Sequence, residues 1–195
     1  MNLRVTQYGE PILKEPGSPV TEFGAPLREL ANDMLETMAE HEGIGLAAQQ
    51  LGLALQFFVL DMRVMERAPD FTWTFDGKQV PLDMIMPLAV ANPELTLGGE
   101  PEPYEEGCLS FPGIRAEVIR PRDSILRYQD LEGASHEIRT NGLFARVIQH
   151  EYDHCQGVLF IDRVKPPNLR RLDSRLKKLK RATRDWLREN RSPTA

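Results

Sequence analysis

The stretch Asn141-Gly142-Leu143-Phe144-Ala145-Arg146-Val147-Ile148-Gln149-His150-Glu151-Tyr152-Asp153-His154-Cys155-Gln156-Gly157 decides how this chain folds. Leu143, Phe144, Val147 and Ile148 recur at three- and four-residue spacing behind Asn141, a good helix cap, and Gly157 suits the helix end. A helix with such an apolar face belongs in a core. On it stands His150-Glu151-Tyr152-Asp153-His154, an H-E-x-x-H pattern. At about 100° per residue the two imidazoles leave the helix about 40° apart and one turn along, so both can converge on one cation. Glu151 lies near enough to that direction to reach a water beside the ion. In a core, unpartnered polar groups are costly, which favours a metal over two solvated histidines.

Two histidines leave the third ligand open. No histidine follows His154, the position six residues on is Phe160, and no glutamate lies between Glu151 and Glu189. The remaining donors are Asp162 and Asp173 downstream, or Cys108, His41, His136 and assorted carboxylates upstream. Cys108 stands in Glu105-Glu106-Gly107-Cys108-Leu109-Ser110-Phe111-Pro112-Gly113, a turn-like stretch bracketed by glycines. Glycine lets backbone pass close to an ion and a thiolate binds soft metals, although a lone cysteine is also commonly a small buried apolar residue.

Further outward, Leu27, Leu30, Ala31, Met34, Leu35 and Met38 mark a helix behind Pro26 that stops near Gly43. Gly43-Ile44-Gly45-Leu46-Ala47-Ala48-Gln49-Gln50 is so rich in small residues that it reads as backbone something must approach closely. Gln56 to Met62 predicts a mostly buried strand, and residues 63 to 90, with three prolines, a long irregular surface insertion. Strands are expected over Leu88 to Leu97, Ser124 to Asp130 and Ser135 to Thr140, the last two forming a hairpin. After Pro166-Pro167-Asn168 comes a helix with Leu169, Leu172, Leu176, Leu179, Thr183 and Trp186 on one stripe. Strands and helices do not alternate regularly, so the fold class is α+β: antiparallel strands around a central helix carrying the metal motif, plus a C-terminal helix. The expected division is a body over residues 1–165 and a basic amphipathic helix and tail over 166–195.

The composition of the 195 residues, 41% apolar and 27% charged, is that of an ordinary globule and excludes wholesale disorder. No apolar run is long enough to span a membrane, and the opening MNLRVTQYGEPIL lacks the zones of a secretory signal. Two cysteines are too few for a disulfide framework and fit a reducing cytoplasm. Twelve Lys and Arg against three Asp and Glu give the chain from Arg163 onward a charge of +9, which leaves −14 on the 162 residues before it. A basic helix on an acidic body points to an anionic partner for the tail.

Gly43 to Gln50, the Glu106-Gly107-Cys108-Leu109-Ser110 segment and Gln149 to His154 with Gly157, in that order, resemble the three signature motifs of the peptide deformylases. The resemblance spans about residues 1 to 165. Cys155 stands where that family usually has leucine, and by its angle around the helix it reads as a core filler. The resemblance implies that Cys108, His150 and His154 hold the metal with water in the fourth position. It implies ferrous iron (Fe2+), with nickel, cobalt or zinc able to occupy the site. The reaction implied is removal of the N-formyl group from the initiator methionine of nascent peptides, releasing formate. In it Glu151 accepts and returns a proton, while the side-chain amide of Gln50 and the backbone N–H of Leu109 donate to the carbonyl oxygen as it becomes negative. Gly45 is expected to bind the substrate backbone, Ile44 and Leu143 to line a pocket for the methionine, and Arg115 to contact the peptide. Glu106 is expected to pair with Arg120 and brace the Cys108 turn. With nascent chains as substrate, the basic helix has ribosomal RNA as its expected partner, in the cytoplasm and without a membrane.

Overall fold

The computed structural model describes residues 3–65 and 70–190; the 66–69 part of the expected insertion and the 191–195 end of the tail lie outside the described residues. Six strands, β1 (Gly45–Ala47), β2 (Phe57–Leu60), β3 (Trp73–Phe75), β4 (Leu88–Gly107), β5 (Arg115–Gln129) and β6 (Ser135–Asn141), form one antiparallel sheet. Their order is β1-β2-β4-β5-β6-β3. Among the described residues three α-helices accompany the sheet, α1 (Ala25–Glu40), α2 (Gly142–Cys155) and α3 (Pro166–Glu189). This is the expected α+β arrangement, with the H-E-x-x-H helix at its centre.

The short strand β2 shows how the layers stack. Phe58 and Leu60 pack with Phe144 and Ile148 of α2, whereas Phe57 and Val59 pack with Ala31, Met34 and Met38 of α1. Successive side chains of a strand point to opposite faces, so a wholly apolar strand is one covered on both sides. β1 continues the pattern, Leu46 joining the α1 layer and Ala47 the α2 layer. That register brings the small-residue segment against α2.

β4 runs ten residues past the expected end at Leu97, through Gly98, Gly99, Pro101 and Pro103 to Gly107. Only its first residues pair with β2, and the rest pairs with β5 alone among the described strands; proline suits a strand with a free edge. A register shift after Ala91 accommodates Asn92 at φ 51, whose side chain bonds Val20 and Gln129. The extension delivers Cys108 to α2.

Three expectations are corrected. The 63–90 stretch is no mere surface insertion: Phe71, Leu82 and Met86 are buried, and β3 closes the sheet edge against β6, Trp73 opposite Thr140. Its apolar residues are too widely spaced between prolines to show a period. Asn141 precedes α2 but its side chain does not cap the helix; Oδ1 accepts the Thr72 N–H at 2.7 Å instead. α3 begins at Pro166 rather than after Asn168, since proline is tolerated in a first turn, where its missing N–H would have no helical partner.

α3 lies on the body. Leu172 and Leu176 pack among Phe111, Val118 and Phe160, and the Arg4 guanidinium sits 3.7 Å over the Trp186 ring. Among the described residues no helix is long and apolar enough to cross a membrane.

Candidate metal centre

Two elements far apart in sequence supply the donor atoms. Beyond Gly107 the chain turns, closed by Phe111 N–H to Cys108 O at 2.8 Å and Ile114 N–H to Phe111 O at 3.0 Å. Gly113 at φ 67 takes the left-handed step that a side chain would resist. The turn holds Cys108 over α2, where its Sγ lies 3.4 Å from His154 Nε2. Donor atoms of Cys108, His150 and His154 all fall within 4.8 Å of one another. One sulfur and two nitrogens held tetrahedrally at about 2.0–2.3 Å stand roughly 3.3–3.6 Å apart, so the cluster is close to the size of such a centre. Among the described residues it is the one such group.

Beneath it lies a buried charge network. Glu106 Oε2 accepts from His150 Nδ1 at 3.0 Å, which leaves Nε2 of that ring for the cluster. Arg120 donates to both Glu106 oxygens, at 2.7 and 3.0 Å, and to Asp153 Oδ2 at 2.7 Å. Arg163 completes the chain through both Asp153 oxygens. Burial would push the Glu106 carboxyl up, but His150 and Arg120 hold it well below the usual carboxylate range. Burial would push His150 down, but the Cys108 sulfur and Glu106 hold it up at about 10. Burial, with the His150 and Arg120 charges, keeps His154 well below the ordinary histidine value and therefore neutral. Burial also pushes the Glu151 carboxyl up to about 7, against the pull of His150 and Arg120.

A cavity of about 640 Å³ opens beside the cluster, and Ile44, Gly45, Gln50, Cys108, Leu109, Arg115, Leu143, His150 and Glu151 line it. Of the residues expected to hold the metal, bind substrate or act in catalysis, all line it except His154, which is buried behind. Gln50 Oε1 accepts the Ala47 N–H at 2.8 Å, the turn-capping bond, and its Nε2 then faces Cys108 Sγ and Ser110 Oγ, each at 3.4 Å. Ala47 N–H can only donate, so the amide oxygen must face it and the amide nitrogen must face the cluster. The small residue at Gly45 is explained too: a Cβ there would sit 2.3 Å from Glu151 Oε1. Arg115 pairs with Glu105 at 2.9 Å on the exposed rim.

The other candidate ligands lie elsewhere. His136 is held between Asp76 and Asp130, Asp162 pairs with Lys14, and Asp173 pairs with Lys177. His41 lines the cavity without joining the cluster. Cys155 is fully buried in the α2 core, as expected for a filler. Sequence reasoning missed Ser110, Asp153, Arg163 and Arg146. Arg146 was findable, because it stands one helical turn before His150 on the same face.

Comparison with known proteins bears on this geometry. A family model described as polypeptide deformylase matches residues 2–170. The peptide deformylase of Opitutus terrae is 48% identical over 186 residues, which cover 94% of this chain and 96% of that protein. The crystal structure of peptide deformylase from Thermotoga maritima matches with a TM-score of 0.71 at 38% identity, covering 85% of this chain and 99% of that one. A peptide deformylase from Synechococcus elongatus, solved in complex with actinonin, matches with a TM-score of 0.75 at 36% identity, covering 89% of this chain and 87% of that one.

Proposed function

The chain belongs to the polypeptide deformylase family of metal-dependent hydrolases, and from that premise we propose that it removes the N-formyl group from the methionine that begins a new chain, releasing formate. The observation that carries this reading is the meeting of Cys108 with His150 and His154 beside buried Glu151, at the wall of one cavity.

The donor set fits a cation. It offers one sulfur and two imidazoles, the first ring oriented by Glu106 and the second kept neutral by burial. When bound, the metal polarises a carbonyl and lowers the pKa of a water at its open position. The rest falls to the chain. Glu151 Oε2 is buried without a protein hydrogen-bond partner. It takes the proton of the attacking water and returns it to the amine nitrogen as the C–N bond breaks. Gln50 Nε2 and the Leu109 N–H donate to the formyl oxygen as negative charge grows on it. Gly45 offers its backbone to the peptide as a neighbouring strand would. Ile44 and Leu143 form the apolar wall for the methionine side chain, and Arg115 meets the peptide backbone at the rim.

We assign ferrous iron as the cation from the family likeness. Nickel, cobalt or zinc can replace it, since a sulfur–nitrogen donor set suits all of them. We read residues 1–165 as the catalytic body and 166–195 as a basic appendage that meets ribosomal RNA in the cytoplasm. Support comes from α3, whose apolar side is packed on the body while Lys177, Lys178, Arg181 and Arg184 are exposed. Replacing those four by glutamate should abolish co-sedimentation with ribosomes; unchanged co-sedimentation would remove the partner.

Formate release tests the central reading. Formyl-Met-Ala should be hydrolysed, while Met-Ala and casein are left intact. Cleavage of casein without formate release would instead make the protein a peptidase.

A further inference from the structure

Arg146 is 8% exposed, and its guanidinium is spent on three partners. Nη1 donates to Glu106 Oε1 at 2.7 Å and to Val118 O at 3.2 Å, and Nη2 donates to Glu102 O at 2.7 Å. The cation also lies 5.3 Å from the centre of the Tyr104 ring. One side chain of α2 thus bonds the backbone of β4, the backbone of β5 and the carboxylate that orients His150. A peptide deformylase does not need this arginine for charge on Glu106, since Arg120 already supplies it through two bonds. Arg120 reaches α2 only through Asp153, beyond His150, whereas Arg146 bonds the carboxylate directly from the turn before His150 and adds the backbones of β4 and β5.

We propose that Arg146 is a positioning residue of the metal centre. It keeps the carboxylate of Glu106 beneath His150 Nδ1 and joins β4 to α2, so that the cysteine at the end of β4 stays in register with the histidines. The geometry favours this over substrate binding. Although Arg146 lines the cavity, the contacts of both terminal nitrogens are made to protein oxygens. The inference rests on the metal-centre reading above, and partners that orient a metal-bound histidine typically matter by about 10–100-fold in metal affinity or activity.

The test is metal release from zinc-loaded protein into excess chelator, measured on wild type, Arg146→Met and Arg146→Lys, with kcat and KM alongside. Methionine keeps the length and removes every donor. Arg146→Met should release zinc about 10- to 100-fold faster and lose kcat with KM within twofold of wild type. Arg146→Lys, with one donor group restored, should fall between the two. Release at the wild-type rate, or a raised KM with unchanged kcat, overturns the proposal. If Arg146→Met does not fold, the lysine variant decides alone, and wild-type release from it likewise overturns the proposal. Failure of the deformylase reading would look different, because wild type itself would then bind no metal or release no formate.

Discussion

A methyl group at Gly45 would stand 2.3 Å from Glu151 Oε1 and 2.8 Å from its Cδ. The two residues belong to different elements, β1 and α2, and meet because β1 continues the face of the sheet that packs on the helix. The glycine therefore sets where the carboxylate can rest. Gly45→Ala should push Glu151 aside and lower kcat about 100-fold, the loss a displacement of about 1 Å typically brings, while metal content stays at the wild-type level. Steady-state kinetics with elemental analysis would check this, and full activity would show that the contact yields harmlessly.

Glu151→Gln preserves shape and removes the proton acceptor. It should retain the metal and lose turnover by about 10²–10⁴-fold. Substantial activity in the metal-loaded variant would assign the proton transfer to another group.

Gln50 bears on the developing charge through Nε2 and on the turn through Oε1. Gln50→Ala should lower kcat by about 10²–10³-fold, far more than it raises KM. The reverse pattern would make Gln50 a residue that holds substrate in the ground state.

His136 reports on the far end of the sheet, where its ring bonds Asp76 at 2.8 Å and Asp130 at 3.3 Å. Partial burial pulls its pKa down, but the two carboxylates outweigh this and leave it raised above 6.5. A pKa raised on folding stabilises the protein fully below the unfolded value and loses that contribution as pH rises through the folded one. The stability gap between wild type and His136→Gln should therefore be wider at pH 5.5 than at pH 8.5 in urea titrations. A gap independent of pH would mean that folding leaves the pKa of the ring unshifted, and a gap wider at pH 8.5 that folding lowers it.

Helix α2 and strand β2 are legible from local pattern alone. The helix shows a 3.6-residue period with the two histidines on one side, and the strand shows the unbroken apolar run of a doubly covered element. β3 is hidden because three residues carry no period, and the far half of β4 because its glycines and prolines resemble a loop until β5 is seen beside it. The metal centre divides in the same way. His150 and His154 follow from helical geometry, but Cys108 reaches them only through the long β4–β5 pairing, which no local pattern encodes; from the residues alone it stayed one of several donors. Glu106 with Arg120 follows from the family likeness, whereas the partners of Arg146 lie on β4 and β5, so its spacing to His150 alone assigns it no role.

The central claim is that one sulfur and two imidazole nitrogens share a single cation with a position left open. X-ray absorption spectroscopy of the zinc-loaded protein addresses it directly. The account predicts one sulfur at about 2.3 Å and two nitrogens with one exchangeable oxygen at about 2.0–2.2 Å, the sulfur shell vanishing in Cys108→Ala. A first shell without sulfur, or one filled by four protein ligands, would contradict it.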